Sequence, residues 1–587
     1  MDRILDRKSF RAIFADRAVI LTDLGKGTPL DMAARVNEAA GRGDAVLRTR
    51  AEYDALFDAV TRDVAGTPAA GDPALATADE HGRPTMAGTT VQAYLDASMG
   101  KREFFGGPMY QVEISGWPAG EMRPDKPVIS AGSRLSLSRT DPRDARTIPP
   151  PVHGGVLFIS TTFSLVNSGQ MTKHAPKRSW KVNLDPGQDD DRLVGMARLN
   201  LKSMYNDPSQ MREALAWRLF AAAGVPSPEH TYAKLAINGA YCGLHSLIEQ
   251  IDKRFLGDRF GDNRHGNLYK AYCGSLGCAT LEHRRGTDGD DGGRQYHTSA
   301  HPDDQTYRLK TNENDADANG YDDLATFVRV INGVGLPGGD GRFDTDAFRG
   351  EVERVFDVKA FLRWAGVNLL LGSWDNYFGS PANYYLYNGG HASRARDFVA
   401  APYFTFLPWD YDNSFGIDYI GTSWQYTDLL DWAAITSQYW HRDGHRNHTS
   451  RLPLVRNLFA NPDFARYYLD HLEYLLDTHF NPQAICAQMG TPDGDGLWQR
   501  VSQAAYLESD SPDAAPFTGR QFSNDEVYRA GYAQNGLRHG NTNVPGIYHY
   551  VKMRCDSASA QLQQLRRSHP AGASGETFPA VHQLPPA

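Results

Sequence analysis

The chain has 587 residues, with 61 Lys and Arg against 70 Asp and Glu, a formal net charge of -9 and a pI near 6.1. That balance excludes the basic face of a dedicated nucleic-acid binder, and 41% apolar with 22% charged residues excludes a disordered chain. No apolar run approaches the ~18 residues of a membrane span, and the start Met1-Asp2-Arg3-Ile4-Leu5-Asp6 has no apolar signal core, so no membrane span and no standard export signal are expected.

In chain order, residues 1–100 read as an accessory region and linker. Tyr53, Leu56, Phe57 and Val60 stand at helical spacing within Arg50–Val64, and 66–96 is rich in Gly, Pro, Ala and Thr. A β-rich stretch follows, with an alternating strand at Met109–Ile114 and a short buried one at Gly155–Ile159. Between them, 131–153, with three consecutive prolines at 149–151, is expected as an exposed loop. Lys177 to Leu184 alternates: Lys177, Ser179, Lys181 and Asn183 share one face, and Trp180, Val182 and Leu184 the other. Asp207-Pro208 is expected to cap a helix carrying Met211, Leu215, Leu219 and Phe220, stopped by Gly224. Tyr232–Ile237 and Tyr241–Ile248 flank Asn238-Gly239, the preferred dipeptide of a tight hairpin.

The second half turns helical. Leu324, Phe327, Val328 and Ile331 form one stripe, Val355 to Leu369 another helix or two, and 453–480 a further helical region. Two strands, Tyr384–Tyr387 and Phe404–Leu407, interrupt the helices, while 280–306 is a polar insertion. A helical extension is expected over 481–566 and a disordered tail over 567–587. Five cysteines are too few for a disulfide scaffold and have no zinc-site spacing, although Cys273 and Cys278 flank a four-residue loop that a bridge can close.

Chemistry concentrates in Pro408-Trp409-Asp410-Tyr411-Asp412-Asn413-Ser414-Phe415-Gly416, where an apolar strand delivers carboxylates into a turn. Such carboxylates hold divalent cations, or merely cap the turn. Upstream, Asp375 follows a helix and Asn383 offers a neutral oxygen ligand. Lys177 and Lys181, followed by a helix and a hairpin that ends at Glu249, suggest a phosphate-contacting lysine with a carboxylate to hold it. Two other patterns fail their templates. His441-Arg442-Asp443 has three residues before Asn447 where protein kinases have four, and it follows the Trp-Asp-x-Asp segment instead of preceding it, so a polar loop is expected. Asp315-Ala316-Asp317-Ala318-Asn319-Gly320 begins like a calcium loop but has Thr326 at the twelfth position, which favours a capped helix start.

Four segments in this order resemble the CotH kinase family of spore-coat-type atypical protein kinases. They are Lys177-Arg178-Ser179-Trp180-Lys181, then Asp207-Pro208-Ser209-x-x-Arg212, then Ile237-Asn238-Gly239-x-Tyr241-x-Gly243-Leu244 with Glu249, and Pro408-Trp409-Asp410-x-Asp412 with Phe415-Gly416. The resemblance implies an α+β fold with an atypical protein-kinase-like, two-lobed core over 101–480, its core motifs within 155–420. It further implies phosphoryl transfer from ATP, with Mg²⁺ or Mn²⁺, to Ser or Thr of a protein substrate, by a secreted or surface-associated protein. On that resemblance Lys177, or else Lys181, contacts phosphate; Glu249 is its carboxylate partner, with Glu213 the position that ordinary kinase topology suggests; Asp375 is the catalytic-loop acid; Asp410 holds the metal and Asn383 is an adjacent ligand.

Two alternatives stay open. The stretch Asn167-Ser168-Gly169-Gln170 lacks the Arg of the family's Arg-Gly turn, which suits a weak or inactive coat-assembly protein on the same fold. A carbohydrate-active hydrolase using Asp410 and a second carboxylate is the other.

Overall fold

The computed structural model describes most of residues 104–578 and three short strands upstream, leaving out 140–155, 284–305, 431–451, 511–520 and shorter stretches. The helix expected at Arg50–Val64 and the His441-Arg442-Asp443 triplet with Asn447 lie outside the described residues. The chain forms two compact units that interleave along the sequence. The first comprises residues up to Tyr205, Glu229–Gln250 and Arg500–Asn524; the second comprises Asn206–Pro228, Ile251–Gln499 and the residues from Asp525 onward. Residues 481–566 are therefore shared between them.

The first unit is built on strands. Within the expected linker, β1 (Leu75–Ala78), β2 (Pro84–Met86) and β3 (Thr89–Thr90) pair into a small sheet. The main sheet uses β4 (Tyr110–Ser115), β5 (Val128–Ile129), β6 (Arg134–Arg139), β7 (Val156–Ser160), β8 (Ser164–Ser168), β9 (Ser179–Asn183), β10 (Arg198–Lys202), β11 (His230–Ile237) and β12 (Ala240–Ile248). Their order is β5-β8-β9-β10-β12-β11-β4-β6-β7, antiparallel except for the parallel pair β11 and β4. β6 lies inside the segment expected as a loop. Its Leu135 and Leu137 alternate with polar neighbours and join the core, so the period-2 pattern outweighs the prolines further on. Trp180, Val182 and Leu184 enter the same core, as the alternation predicts. The hairpin β11–β12 closes at Asn238-Gly239, as expected.

The second unit contains α1 (Arg212–Ala222), α2 (Lys253–Phe260), β13 (Asn267–Ala271), the two-residue strands β14 (Cys273–Gly274) and β15 (Gly277–Cys278), and β16 (Tyr307–Leu309). Next come α3 (Asp322–Ile331), α4 (Asp346–Val355), α5 (Val358–Leu371), β17 (Tyr384–Asn388), β18 (Phe404–Pro408), α6 (Pro453–Phe459), α7 (Pro462–Thr478) and α8 (Pro482–Met489). Beyond α9 (Leu497–Asp510), which belongs to the first unit from Arg500, lie α10 (Asn524–Tyr532), β19 (Leu537–His539), β20 (Thr542–Val544) and α11 (Ile547–Leu565). A four-stranded antiparallel sheet, β16-β13-β17-β18, is packed by α5. α5 starts at the Asp357 cap, whose carboxylate accepts from Ala360 N, and is buried almost all round, as expected of a helix with so little polar face.

α1 starts later than Asp207-Pro208 predicts, at Arg212. Pro208 and Ser209 form a turn closed by Gln210 N to Asp207 O at 3.2 Å, and the Asp207 carboxylate reaches over it to accept from Arg212 N at 2.8 Å. Helix α3 begins after Tyr321, which stands at the cap position with φ 65° and makes no side-chain cap bond, so the capped start expected from the aspartates before it is not formed. Part of the tail expected to be disordered is anchored: Asp470 accepts from Gly572 N and Ser574 N, and Phe578 packs on Tyr467, His471 and Tyr474. Phe578 joins those bonds because it finds a ledge of aromatic rings that sequence composition does not reveal.

The core of this unit is tested at Phe406 on β18, 1% exposed, whose ring lies 4.4 Å from Trp364, 4.8 Å from Tyr384 and 5.4 Å from Phe361. Phe406→Ala is expected to lower stability by about 3–5 kcal/mol, read as a shift of the second unit's urea midpoint; a midpoint unchanged from wild type would contradict this packing.

Candidate active site

Strand register in the second unit brings Asn383 beside the segment that carries Asp410. β17 and β18 pair antiparallel with Tyr384 opposite Pro408, so the residue before β17 and the residues after β18 meet. Trp409 N donates to Asn383 O at 3.2 Å. Asn383 Nδ2 in turn donates to Asp375 O at 3.0 Å, closing the loop that follows α5. The Asp375 carboxylate is held at both oxygens: Ser380 Oγ donates to Oδ1 at 2.6 Å and Asn413 Nδ2 to Oδ2 at 3.1 Å. Asn206 Nδ2 fixes Asn413 by donating to its Oδ1 at 2.9 Å. Asp375, Asn383 and Asp410 are half-buried, whereas Asp412 and Asn413 are buried.

Two of these residues carry backbone strain. Asp410 has φ 68° and Asn383 φ 52°, in the left-handed region that costs most L-residues energy and that Asp and Asn tolerate best. Strain of this kind persists only where the surroundings over-determine it. Here they do. Trp364 Nε1 donates to Tyr411 Oη at 2.7 Å, Tyr411 Oη donates to Asn368 Oδ1 at 3.1 Å, and Asn376 Nδ2 donates to the same oxygen at 2.8 Å. This buried chain ties the neighbour of Asp410 to the neighbour of Asp375 through α5. Glu213 on α1 accepts from Tyr411 N at 3.3 Å, and Arg212 Nε donates to Ser414 O at 3.1 Å. Gly416 closes the turn at φ 74°, and a Cβ there would stand 2.4 Å from the Tyr550 ring.

The disulfide Cys273–Cys278 closes the short loop, as its spacing allows. Just beyond it, Ala279 N donates to Pro381 O at 2.9 Å and Thr280 O accepts from Tyr377 Oη at 2.9 Å. The bridged hairpin thus abuts the loop between Asp375 and Asn383.

The lysine region belongs to the first unit. Lys177 sits just before β9 and is 1% exposed, while Lys181 is exposed on the strand. Lys177 Nζ donates to Leu244 O at 3.0 Å and to Glu508 Oε1 and Oε2 at 3.0 and 3.1 Å. The Lys177 ammonium thus pairs with the Glu508 carboxylate, which the sequence did not point to; Glu249 accepts from Glu229 N at 3.0 Å and Glu213 from Tyr411 N at 3.3 Å. Glu508 escapes sequence reasoning because it lies 331 residues from Lys177, in a helix with no motif of its own. Next to the pair, His245 is buried, and burial together with the Lys177 charge lowers its pKa to about 4.

The profile of the CotH kinase protein family matches residues 166–490, more than half of the chain. The chain belongs to the CotH kinase protein family. It is 24% identical over 263 residues to Invasin CotH2 of Rhizopus delemar, covering 44% of this chain and 38% of that protein. It is 28% identical over 228 residues to Inner spore coat protein H of Bacillus subtilis, covering 39% and 52%. Invasin CotH3 of Rhizopus delemar matches at 22% over 331 residues, covering 55% and 47%. The chain thus spans about half or less of these curated relatives.

The family motifs acquire physical reasons in this setting. In Asp207-Pro208-Ser209-x-x-Arg212, Asp207 Oδ1 accepts from Arg212 Nη1 at 2.7 Å and Ser209 Oγ accepts from the same nitrogen at 3.0 Å. That fixes the guanidinium whose Nε grips the turn after Asp410. In Pro408-Trp409-Asp410-x-Asp412 with Phe415-Gly416, Tyr411 supplies the buried anchor and Gly416 the space against α11.

Acid should expose the cost of burying His245. Its folded pKa of about 4 lies below the ordinary 6.5, so the unfolded chain takes up the proton first. The stability from keeping His245 neutral is fully present above 6.5, is lost as pH falls toward 4, and changes no further below that. Its share is on the order of 3 kcal/mol at about 1.4 kcal/mol per unit. Urea midpoints at pH 7.5 and 4.5 should converge for His245→Gln relative to wild type; an identical acid shift in both would remove His245 as a contributor.

Proposed function

We propose that this CotH-family chain is an atypical protein kinase with a two-lobed, kinase-like core, which transfers a phosphoryl group from ATP, with Mg²⁺ or Mn²⁺, to Ser or Thr of a protein substrate. The observation that carries the reading is the meeting of half-buried Asp375, Asn383 and strained Asp410 at one end of the β17–β18 pair. Family membership and the order of the four motifs support it.

The residues fit a hard divalent cation. Asp410 and Asn383 offer oxygen donors, the type that Mg²⁺ and Mn²⁺ prefer. Among the described residues no group of three His, Cys, Asp or Glu could hold a metal alone. That suits an ion which keeps waters and takes its remaining ligands from phosphate oxygens. When bound, the metal–nucleotide pair would supply the phosphoryl group and neutralise its charge. Asp375, restrained by Ser380 and Asn413, would orient the acceptor hydroxyl and receive its proton. Lys177, 1% exposed and paired with Glu508, would contact phosphate. In such transfer the protein mainly positions the groups and balances charge.

A second reading, a weak or inactive coat or surface-assembly protein on the same fold, is favoured by that enclosure of Lys177 and by the missing Arg at Asn167-Ser168-Gly169-Gln170. The names of the relatives, an inner spore coat protein and two invasins, suit a role at a surface.

Asp410→Asn tests the first reading. It keeps the side-chain shape and the tolerance of a left-handed backbone but removes the charge, and is expected to lower phosphate incorporation into a Ser-rich peptide by about 10²–10⁴-fold, on the order of 3–5 kcal/mol of barrier. Equal activity would take Asp410 out of the mechanism, and a folded wild type that binds no nucleotide with either metal would favour the assembly reading.

A further inference from the structure

The family match ends at residue 490, yet the carboxylate on Lys177 comes from Glu508 in α9. The contact is a constructed one. Lys177 is 1% and Glu508 4% exposed, and a buried ammonium without a counter-charge is strongly disfavoured. Glu508 spans the Lys177 ammonium with both oxygens, and its Oε1 also accepts from Leu244 N at 2.6 Å. One turn earlier in α9, Ala504 O accepts from Tyr241 Oη at 3.1 Å. Val501, Ala504 and Ala505 bury the same helix.

The hairpin motif is shaped to receive this helix. Tyr241 and Leu244 bond it directly. Gly243 lies between them at φ 110°, and a Cβ there would come 2.7 Å from Lys177 Cδ and 2.9 Å from Glu508 Oε1. Only glycine leaves room for the ion pair at that point. The motif residues that the family match contains thus surround a carboxylate that the match omits.

We propose that Glu508 is the positioning residue for Lys177, fixing its ammonium for nucleotide phosphate, so that α9 is required for nucleotide binding although it lies outside the matched region. This rests on the kinase reading above. In protein kinases a carboxylate on a helix early in the chain does this work; here the carboxylate on Lys177 comes from α9, far later in the chain.

The test is a double-mutant cycle read as the dissociation constant of ATP with Mn²⁺, on the full chain. Glu508→Gln keeps an acceptor for Leu244 N but removes the charge, and should weaken nucleotide binding roughly 10–100-fold, the range found when a residue that orients a ligand-binding group is lost. Lys177→Met should weaken it at least as much. Because Glu508 acts through Lys177, the double variant should bind no worse than Lys177→Met alone; it also removes the stranded buried charge, so it remains informative where Glu508→Gln folds poorly. Additive losses, or unchanged affinity in a folded Glu508→Gln, would overturn the assignment while leaving the kinase reading standing. A folded wild type that binds no nucleotide with Mn²⁺ or Mg²⁺ would instead overturn the kinase reading and this assignment with it.

Discussion

The second unit depends on one buried run of hydrogen bonds, Trp364 to Tyr411 to Asn368 to Asn376. It lies on α5, a helix otherwise enclosed by apolar contacts, and its members are inaccessible to water. A buried phenol, amide or indole without a partner costs a few kcal/mol, so each member must find the next. That requirement sets the relative position of two segments that are not otherwise neighbours in sequence: the loop leaving α5, with Asp375, and the turn leaving β18, with Asp410. The left-handed backbone at Asp410 and Asn383 stands at the ends of the two segments that this scaffold fixes.

Around it, the sequence motifs are mostly supports. Asp207 and Ser209 hold the Arg212 guanidinium by charge-assisted bonds, its Nε grips Ser414 O, and its Nη2 donates to Ala530 O and Pro545 O. Glu213 adds a second hold on the same turn. The side chains that would do chemistry, Asp375, Asn383 and Asp410, are fewer and stand half-exposed at its edge. In the first unit the pattern repeats on a smaller scale, with Gly243, Leu244 and Tyr241 arranged about the Lys177–Glu508 pair.

Several elements were legible in the sequence because their signals are local. The Asn238-Gly239 hairpin, the stripe of α3, and the alternation of Trp180, Val182 and Leu184 follow from turn chemistry and from the 2.0 and 3.6 periods. Where two local signals competed, the weaker was overruled: Leu135 and Leu137 made a strand of a segment whose prolines suggested a loop, and Asp207 spanned a turn where a cap was expected.

By itself the sequence determined the family, the β-rich first part and helical second part, and which acids stand at the ends of strands and helices, because each is written in short stretches of residue type and spacing. Only the tertiary structure decided which carboxylate meets which cation. Lys177 pairs with Glu508, 331 residues away, and Glu213 accepts from a backbone amide, since a buried charge is matched by whatever the fold brings within about 3 Å and chain distance has no bearing on that. The same holds for Phe578, whose place on Tyr467, His471 and Tyr474 depends on a surface that exists only once α7 has folded.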